Sequence, residues 1–199
     1  LYDSTVEESF NRIVKPAPQY GAGINVYTLN PQPGKQSLVF LHDNAIDVDG
    51  DWIDGIDLVD YGHFDGLKTL QAMVWNNVVR HGTAEGMVGV VSFGTDGAVI
   101  AGNQISGAPA DGINILRSVS NLILANDLRG LHATHAPIWI QPTSGRCTVY
   151  GDASTLVLDQ GTDDTLIGVT PMTLAASAAK AAPAPLQEKL DRIRKRVRR

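Results

Sequence analysis

One cysteine, Cys147, stands among 199 residues, so no disulfide can close within the chain. That excludes a disulfide-stapled scaffold and leaves the compartment open. Aromatic residues are scarce at 6%. No apolar run reaches roughly 18 residues, so no helix is expected to span a membrane. No secretory signal is legible. The first residue is Leu1 and not Met, from which a processed chain or a piece of a longer product is expected. What is present is glycine, 20 residues of it, and a hydrophobic fraction of 43%. Many small residues and few large ones suit narrow, repeated turns around a single core.

Charge is unevenly placed. The net charge is −5, yet residues 186–199 hold seven Lys or Arg against Glu188 and Asp191. The remaining 185 residues carry 9 basic and 19 acidic groups, a net of −10. An acidic body of this kind excludes nucleic acid from its surface, and any polyanion contact falls to the tail.

A repeat organises the body. The pattern apolar, two residues, Asn, one residue, apolar occurs at Leu41–Asn44–Ile46, Val74–Asn77–Val79, Ile100–Asn103–Ile105 and Ile123–Asn126–Leu128. Val149–Asp152–Ser154 is a degenerate fifth copy. These Asn or Asp positions lie 33, 26, 23 and 26 residues apart. A second pattern precedes each copy: a small residue, then two apolar residues flanking one position, as in Gly23–Val26, Gly55–Leu58 and Gly112–Ile115. Pro137–Ile140 repeats it with Pro for Gly, and Gly86–Val90 fits with one slip. Each motif reads as a short alternating strand, and Gly, Asn, Asp and Pro mark the turns between.

One such coil cannot bury its apolar side alone, so coils stack and each strand pairs with its equivalent about 4.8 Å away. The expected architecture is all-β: a short right-handed parallel β-helix of about five coils. Asn44, Asn77, Asn103 and Asn126 then fall at one corner as a ladder that satisfies the turn backbone. The expected boundaries are an N-terminal cap over 1–20, the β-helix over 21–172, an Ala/Pro linker over 173–185 and a basic amphipathic tail over 186–199. Residues 3–14 read as a capping helix, with Ser4 or Thr5 as its N-cap and Glu7 and Glu8 in its first turn. In the tail, Leu186, Leu190, Ile193 and Val197 form an apolar seam that predicts docking on a partner.

GNQISG (102–107), DGINI (111–115) and SNLILANDLRG (120–130) give residues 20–168 a resemblance to the right-handed parallel β-helix, pectate-lyase-like superfamily. That group includes polysaccharide lyases and epimerases and many phage spike proteins. The resemblance implies polysaccharide as ligand, trimeric assembly, and a place outside the cell or on a phage-like particle. It implies activity less directly. The RxPxxR of pectate lyases is missing, Gly55 replaces the His of their WIDH, and the polygalacturonase motifs are reduced to His81-Gly82.

Candidate chemistry falls into four sets. Asp54, Glu85 and Asp111 each precede the Gly of the second pattern, so stacking predicts a column of carboxylates able to serve as nucleophile and acid. Trp52, Trp75 and Trp139 suit sugar rings, and Arg117 is expected to join them in carbohydrate binding. A basic and His set (His63, Lys68, Arg80, His81, Arg117, Arg129, His132, His135) supplies the residue types of a lyase base, with Arg117 or His81 expected to assist the carboxylates. The Asp-rich insert (Asp47, Asp49, Asp51, Asp54, Asp57, Asp60, Asp65) presents alternating oxygens for Ca2+, although the EF-hand pattern fails at Trp52. No cofactor is otherwise expected. The favoured reading is a non-catalytic carbohydrate-recognition module of a spike-like assembly. A polysaccharide lyase or glycoside hydrolase and a plain structural connector are the alternatives.

Overall fold

The computed structural model describes residues 4–15, 21–28, 31–49, 53–82, 86–107 and 109–173. Among them the chain turns repeatedly through short parallel strands. The first turn holds β1 (Thr5–Ser9), β2 (Arg12–Lys15) and β3 (Gly21–Thr28), and the second β4 (Ser37–His42), β5 (Ala45–Val48) and β6 (Ile53–Asp60). The third holds β7 (Leu70–Trp75), β8 (Val78–His81) and β9 (Gly86–Phe93), and the fourth β10 (Val99–Ala101), β11 (Gln104–Ser106) and β12 (Pro109–Leu116). Later turns are shorter: β13 (Leu122–Leu124) with β14 (Ala136–Ile140), β15 (Thr148–Tyr150) with β16 (Leu156–Asp159), and β17 (Thr165–Ile167) with β18 (Thr170–Pro171).

Strands at the same place in each turn pair in parallel and build three sheets. The first runs β1-β4-β7-β10-β13-β15-β17, the second β2-β5-β8-β11, and the third β3-β6-β9-β12-β14-β16-β18. The fold is therefore all-β and parallel, with a repeat-like stacking compatible with a parallel β-helix. Its core is a set of columns: Leu41, Val74, Ile100, Ile123 and Val149 from the first sheet, Ile46, Val79 and Ile105 from the second, Ile56, Val90, Ile113 and Ile138 from the third. Each of these side chains is at least 99% buried, contributing about 1.5–3 kcal/mol before chain entropy is set against it.

The Asn ladder occupies the corner between the first and second sheets. Asn44, Asn77 and Asn103 each donate from backbone N and from Nδ2 to Oδ1 of the next member, at 2.9–3.1 Å. The residue before each ladder Asn holds positive φ: Asp43, Asn76, Gly102 and Ala125 lie between 49° and 61°. That left-handed step turns the corner, and Asn pays the hydrogen bonds it leaves open.

Three expectations are corrected. Residues 4–15 form no capping helix. They form β1 and β2, and Thr5–Ser9 pairs with Leu38–His42 residue by residue. Asn11 donates to Asn44 Oδ1 at 3.0 Å, so this segment is the ladder's first rung. An isolated helix this short is marginal, whereas the strand satisfies an open sheet edge and seats Val6 and Ile13 on the core. The first and third sheets also reach seven levels, not five. Finally, Gly89 and not Gly86 continues the glycine column, because Asp111 pairs with Val88 and Ile113 with Val90. A Cβ on Gly55 would lie 2.4 Å from the Gly89 carbonyl, and one on Gly89 2.5 Å from that of Gly112. The linker 173–185 beyond Thr173 and the tail 186–199 lie outside the described residues.

Candidate functional site: a polar ledge on the third sheet

Strand alternation sends Ile56 and Leu58 into the core and Asp57 and Val59 to the outer side of the third sheet. On that outer side Val59, Val88, Val91, Phe93 and Leu116 form a second apolar cluster. Tyr27 and, from the 3-10 turn Tyr61–Asp65, Tyr61 and Phe64 pack against it. Polar residues stand on both flanks. Asn25, Tyr27, Asp54 and Asp57 lie toward the N-terminal levels, and Asp111, Asn114, His135, Trp139 and Gln141 toward the C-terminal ones.

The expected carboxylate column is not contiguous. Val88 occupies the level between Asp54 and Asp111, so the two backbones are two strand spacings apart, roughly 10 Å. Retaining glycosidases hold their carboxyls at about 5 Å. Both side chains are also engaged by backbone. Asp54 Oδ1 accepts from Val88 N at 3.0 Å, and Asp111 Oδ1 from Ala136 N at 3.1 Å. Each carboxylate thus caps an N–H one level on. Asp54 and Asp111 are 0% and 3% exposed, which closes both to direct attack on a substrate. Glu85 lies outside the described residues.

Asp111 anchors a longer chain of contacts. Its Oδ1 meets His135 Nδ1 at 2.7 Å, and its Oδ2 accepts from Asn114 Nδ2 at 3.0 Å. Gln141 Nε2 donates to Asn114 Oδ1 at 2.9 Å. The His135 ring meets the Trp139 indole edge-on with centroids 4.5 Å apart, and Trp139 Nε1 donates to Gln160 Oε1 at 2.9 Å. Burial pushes the Asp111 carboxyl above its ordinary range, against the opposing pull of His135, Asn114 and the Ala136 N–H. The Asp111–His135 contact carries one hydrogen between Oδ1 and Nδ1. Among the described residues His135 Nε2, Gln141 Oε1 and Gln160 Nε2 make no hydrogen bond. Two of these atoms belong to the residues that hold the half-buried indole, His135 and Gln160, and the third to Gln141, which donates to Asn114.

Near the N-terminal levels Tyr27 Oη shares its one hydrogen between Asn25 Oδ1 at 2.7 Å and Asp57 Oδ2 at 3.1 Å. Burial and the neighbouring Asp57 raise the Tyr27 phenol, which stays protonated.

The three tryptophans do not share a platform. Trp139 sits on the ledge and Trp52 lies outside the described residues. Trp75 is on the outer side of the first sheet, stacked on His42 with centroids 4.3 Å apart and planes 10° from parallel. Arg117 lies over Phe64 and Phe93, 5.7 and 5.9 Å from their centroids, and so packs on the apolar cluster. The Asp-rich insert disperses. Asp47 pairs with Arg80 at 3.1 Å, and Asp60 accepts from Gly62 N, Thr28 Oγ1, Thr69 and Leu70 N. No group of three His, Cys, Asp or Glu able to hold a metal occurs among the described residues. No helix among them is long and apolar enough to cross a membrane.

His135 stood in the sequence only as one histidine among several, and Gln141 and Gln160 carried no signal, because it is the 25-residue register of Asp111 with Ala136 that brings His135, 24 residues on, to Asp111. Comparison with protein-family models, with curated proteins and with solved structures gives no match to this chain.

Proposed function

We propose that this chain is a carbohydrate-recognition module on a right-handed parallel β-helix, resembling the pectate-lyase-like superfamily in architecture. The observation that carries this is the ledge: the Trp139 indole, held by Gln160 and His135, in one network with the open atoms His135 Nε2, Gln141 Oε1 and Gln160 Nε2. An aromatic face takes the C–H side of a sugar ring, and fixed amides and imidazole take its hydroxyls. Pre-set hydrogen bonds hold these groups in place before a ligand arrives, which lowers the ordering cost of binding. A stiff stack of coils offers this to a repetitive polymer on an extended surface. We place the module in a spike-type assembly outside a cell or on a phage-like particle, oligomeric in that setting.

A second reading is a polysaccharide lyase or hydrolase, favoured by the 2.7 Å contact of His135 with Asp111. An Asp-oriented imidazole with its second nitrogen open is the geometry of a general base. The purified chain is to be incubated with a panel of neutral, acidic and amino-sugar polysaccharides. Retention, reducing ends and unsaturated-uronate absorbance are followed together. Retention without new ends is the expected result. New ends or absorbance would replace it with the enzymatic reading, and neither signal across the panel would sink both.

A further inference from the structure

His42 closes β4, and groups from three consecutive turns meet at its ring. Its Nδ1 meets Asp43 Oδ2 at 2.7 Å, in the second turn. Its Nε2 meets Glu7 Oε1 at 2.9 Å, from β1 in the first turn. Trp75, its register partner in the third turn, stacks on the ring. Phe10, between β1 and β2, meets it edge-on with centroids 6.0 Å apart. Asn76, which follows β7, donates from Nδ2 to Asp43 Oδ1.

This arrangement asks for a charged ring. With both carboxylates ionised, both ring nitrogens must donate, and only the imidazolium carries two N–H groups. The hydrogen bond to Asp43, and after it the one to Glu7, raises the imidazole above its ordinary range. His42, and after it Asn76, holds the Asp43 carboxyl below the usual carboxylate range. A cation over the face of an indole is attracted by the ring, so the Trp75 stack favours the same state.

The charged groups at this corner are few. Glu7 comes from β1 and Asp43 from the step after β4, whereas Phe10, Trp75 and Asn76 are uncharged. Glu8 takes a hydrogen bond from Asn11 instead. Among the described residues no Lys or Arg pairs with Glu7 or Asp43. Loss of one proton therefore falls on one of two contacts. A neutral imidazole keeps a single N–H, and its other nitrogen presents a lone pair to a carboxylate. Asp43 is the fixed partner, next in the chain, 27% exposed and held by Asn76 as well. Glu7 is the movable one. Its side chain is 62% exposed, and among the described residues His42 is its one side-chain partner.

We propose that His42 is a proton-operated clasp between the first and second turns: protonated, it holds Glu7 and keeps β1 closed on β4, and on losing its proton it releases Glu7 and lets β1 fray. The sign follows from the raised imidazole. The tie is fully present below about pH 6.5 and is lost as pH rises through the higher folded-state value. Backbone pairing of Thr5–Ser9 with Leu38–His42 and the Asn11 rung persist on both sides, so the turn loosens without detaching.

The test follows the full chain by NMR between about pH 6 and 9. The His42 ring should titrate above the ordinary histidine value. Across the same midpoint the amides of Thr5–Ser9 should lose protection several-fold, after correction for intrinsic exchange. Glu7→Gln is the control, because its amide can accept from an Nε2–H or donate to a bare Nε2. In that variant protection of Thr5–Ser9 should stay level across the window, and His42 should titrate lower than in the parent. A His42 ring that titrates at or below the ordinary value would overturn the proposal. So would protection of Thr5–Ser9 that changes equally in parent and Glu7→Gln, or in neither.

Discussion

Asn77 donates twice to one atom: its backbone N and its Nδ2 reach Asn103 Oδ1 at 3.0 and 2.9 Å. Its Nδ2 also reaches the carbonyls of Leu41 and Trp75, at 2.9 and 3.0 Å, and its Oδ1 accepts both donors of Asn44. Asn77 is fully buried, so none of these groups can turn to water. Asn77→Ala leaves several of them unsatisfied and should cost about 3–5 kcal/mol, at roughly 1–3 kcal/mol for each buried group left open. Asn126, half-buried at the ladder's end, should cost less on the same change. Urea unfolding of the two variants measures the difference, and equal losses would mean that the ladder is not cooperative with burial.

Ala125 occupies the left-handed step before Asn126, at φ 49°, and is exposed. Holding an alanine there costs roughly 1–2 kcal/mol, which glycine avoids at a smaller entropy cost of about 0.5–1 kcal/mol. Ala125→Gly should therefore stabilise by about 0.5–1 kcal/mol, and Ala125→Val should destabilise. Thermal melts of both variants decide the sign.

His81 gives the stack an acid limit. It is 94% buried at the end of β8, its Nε2 has no partner, and burial pushes the imidazole down to about 4. The unfolded chain titrates near 6.5, so between those values it binds a proton the folded chain refuses. Stability is unaffected above about pH 6.5 and falls as pH drops toward 4, by about 3 kcal/mol in all. His81→Leu should flatten that slope. A variant with the parent's slope between pH 6.5 and 4 would assign the acid loss elsewhere.

Periodicity made most of the stack legible, because in-pointing residues must recur wherever a turn contributes to the core. Leu41, Val74, Ile100 and Ile123 do so, and the ladder asparagines travel with them. The first turn was hidden because Glu8 stands where Leu41 stands one level on, and because Thr5, Glu7 and Glu8 also satisfy helix-start chemistry. Pairing with β4 decided against that local signal. The glycine column slipped by three because the chain offers both Gly86 and Gly89. Register across the turns distinguishes them, and because a Cβ on Gly89 would meet the Gly112 carbonyl, Gly89→Ala should destabilise. The ledge was half legible. Asp111 and Trp139 were singled out by type, but which groups lie beside them is set by register across turns of unequal length.

Trp139 separates the two readings of the ledge from simple packing. It is half-buried, lies in register between Asn114 and Leu158, and meets the His135 edge and the Gln160 amide. Trp139→Ala should reduce polysaccharide retention by tenfold or more, the loss of one good aromatic anchor, with the chain still folded by thermal melt. Gln160→Ala frees the indole without removing it and should give a smaller loss. His135→Ala divides recognition from catalysis. In a binding module it weakens retention by a factor like that of Gln160→Ala, since one hydroxyl contact is lost. In an enzyme it removes the base and abolishes new ends while retention persists. Asp111→Asn adds the positioning arm: it keeps the shape and changes the group that meets His135 Nδ1, so in an enzyme it should lower turnover as His135→Ala does and leave retention nearly intact. Retention unchanged in Trp139→Ala would remove the ledge from the binding surface altogether.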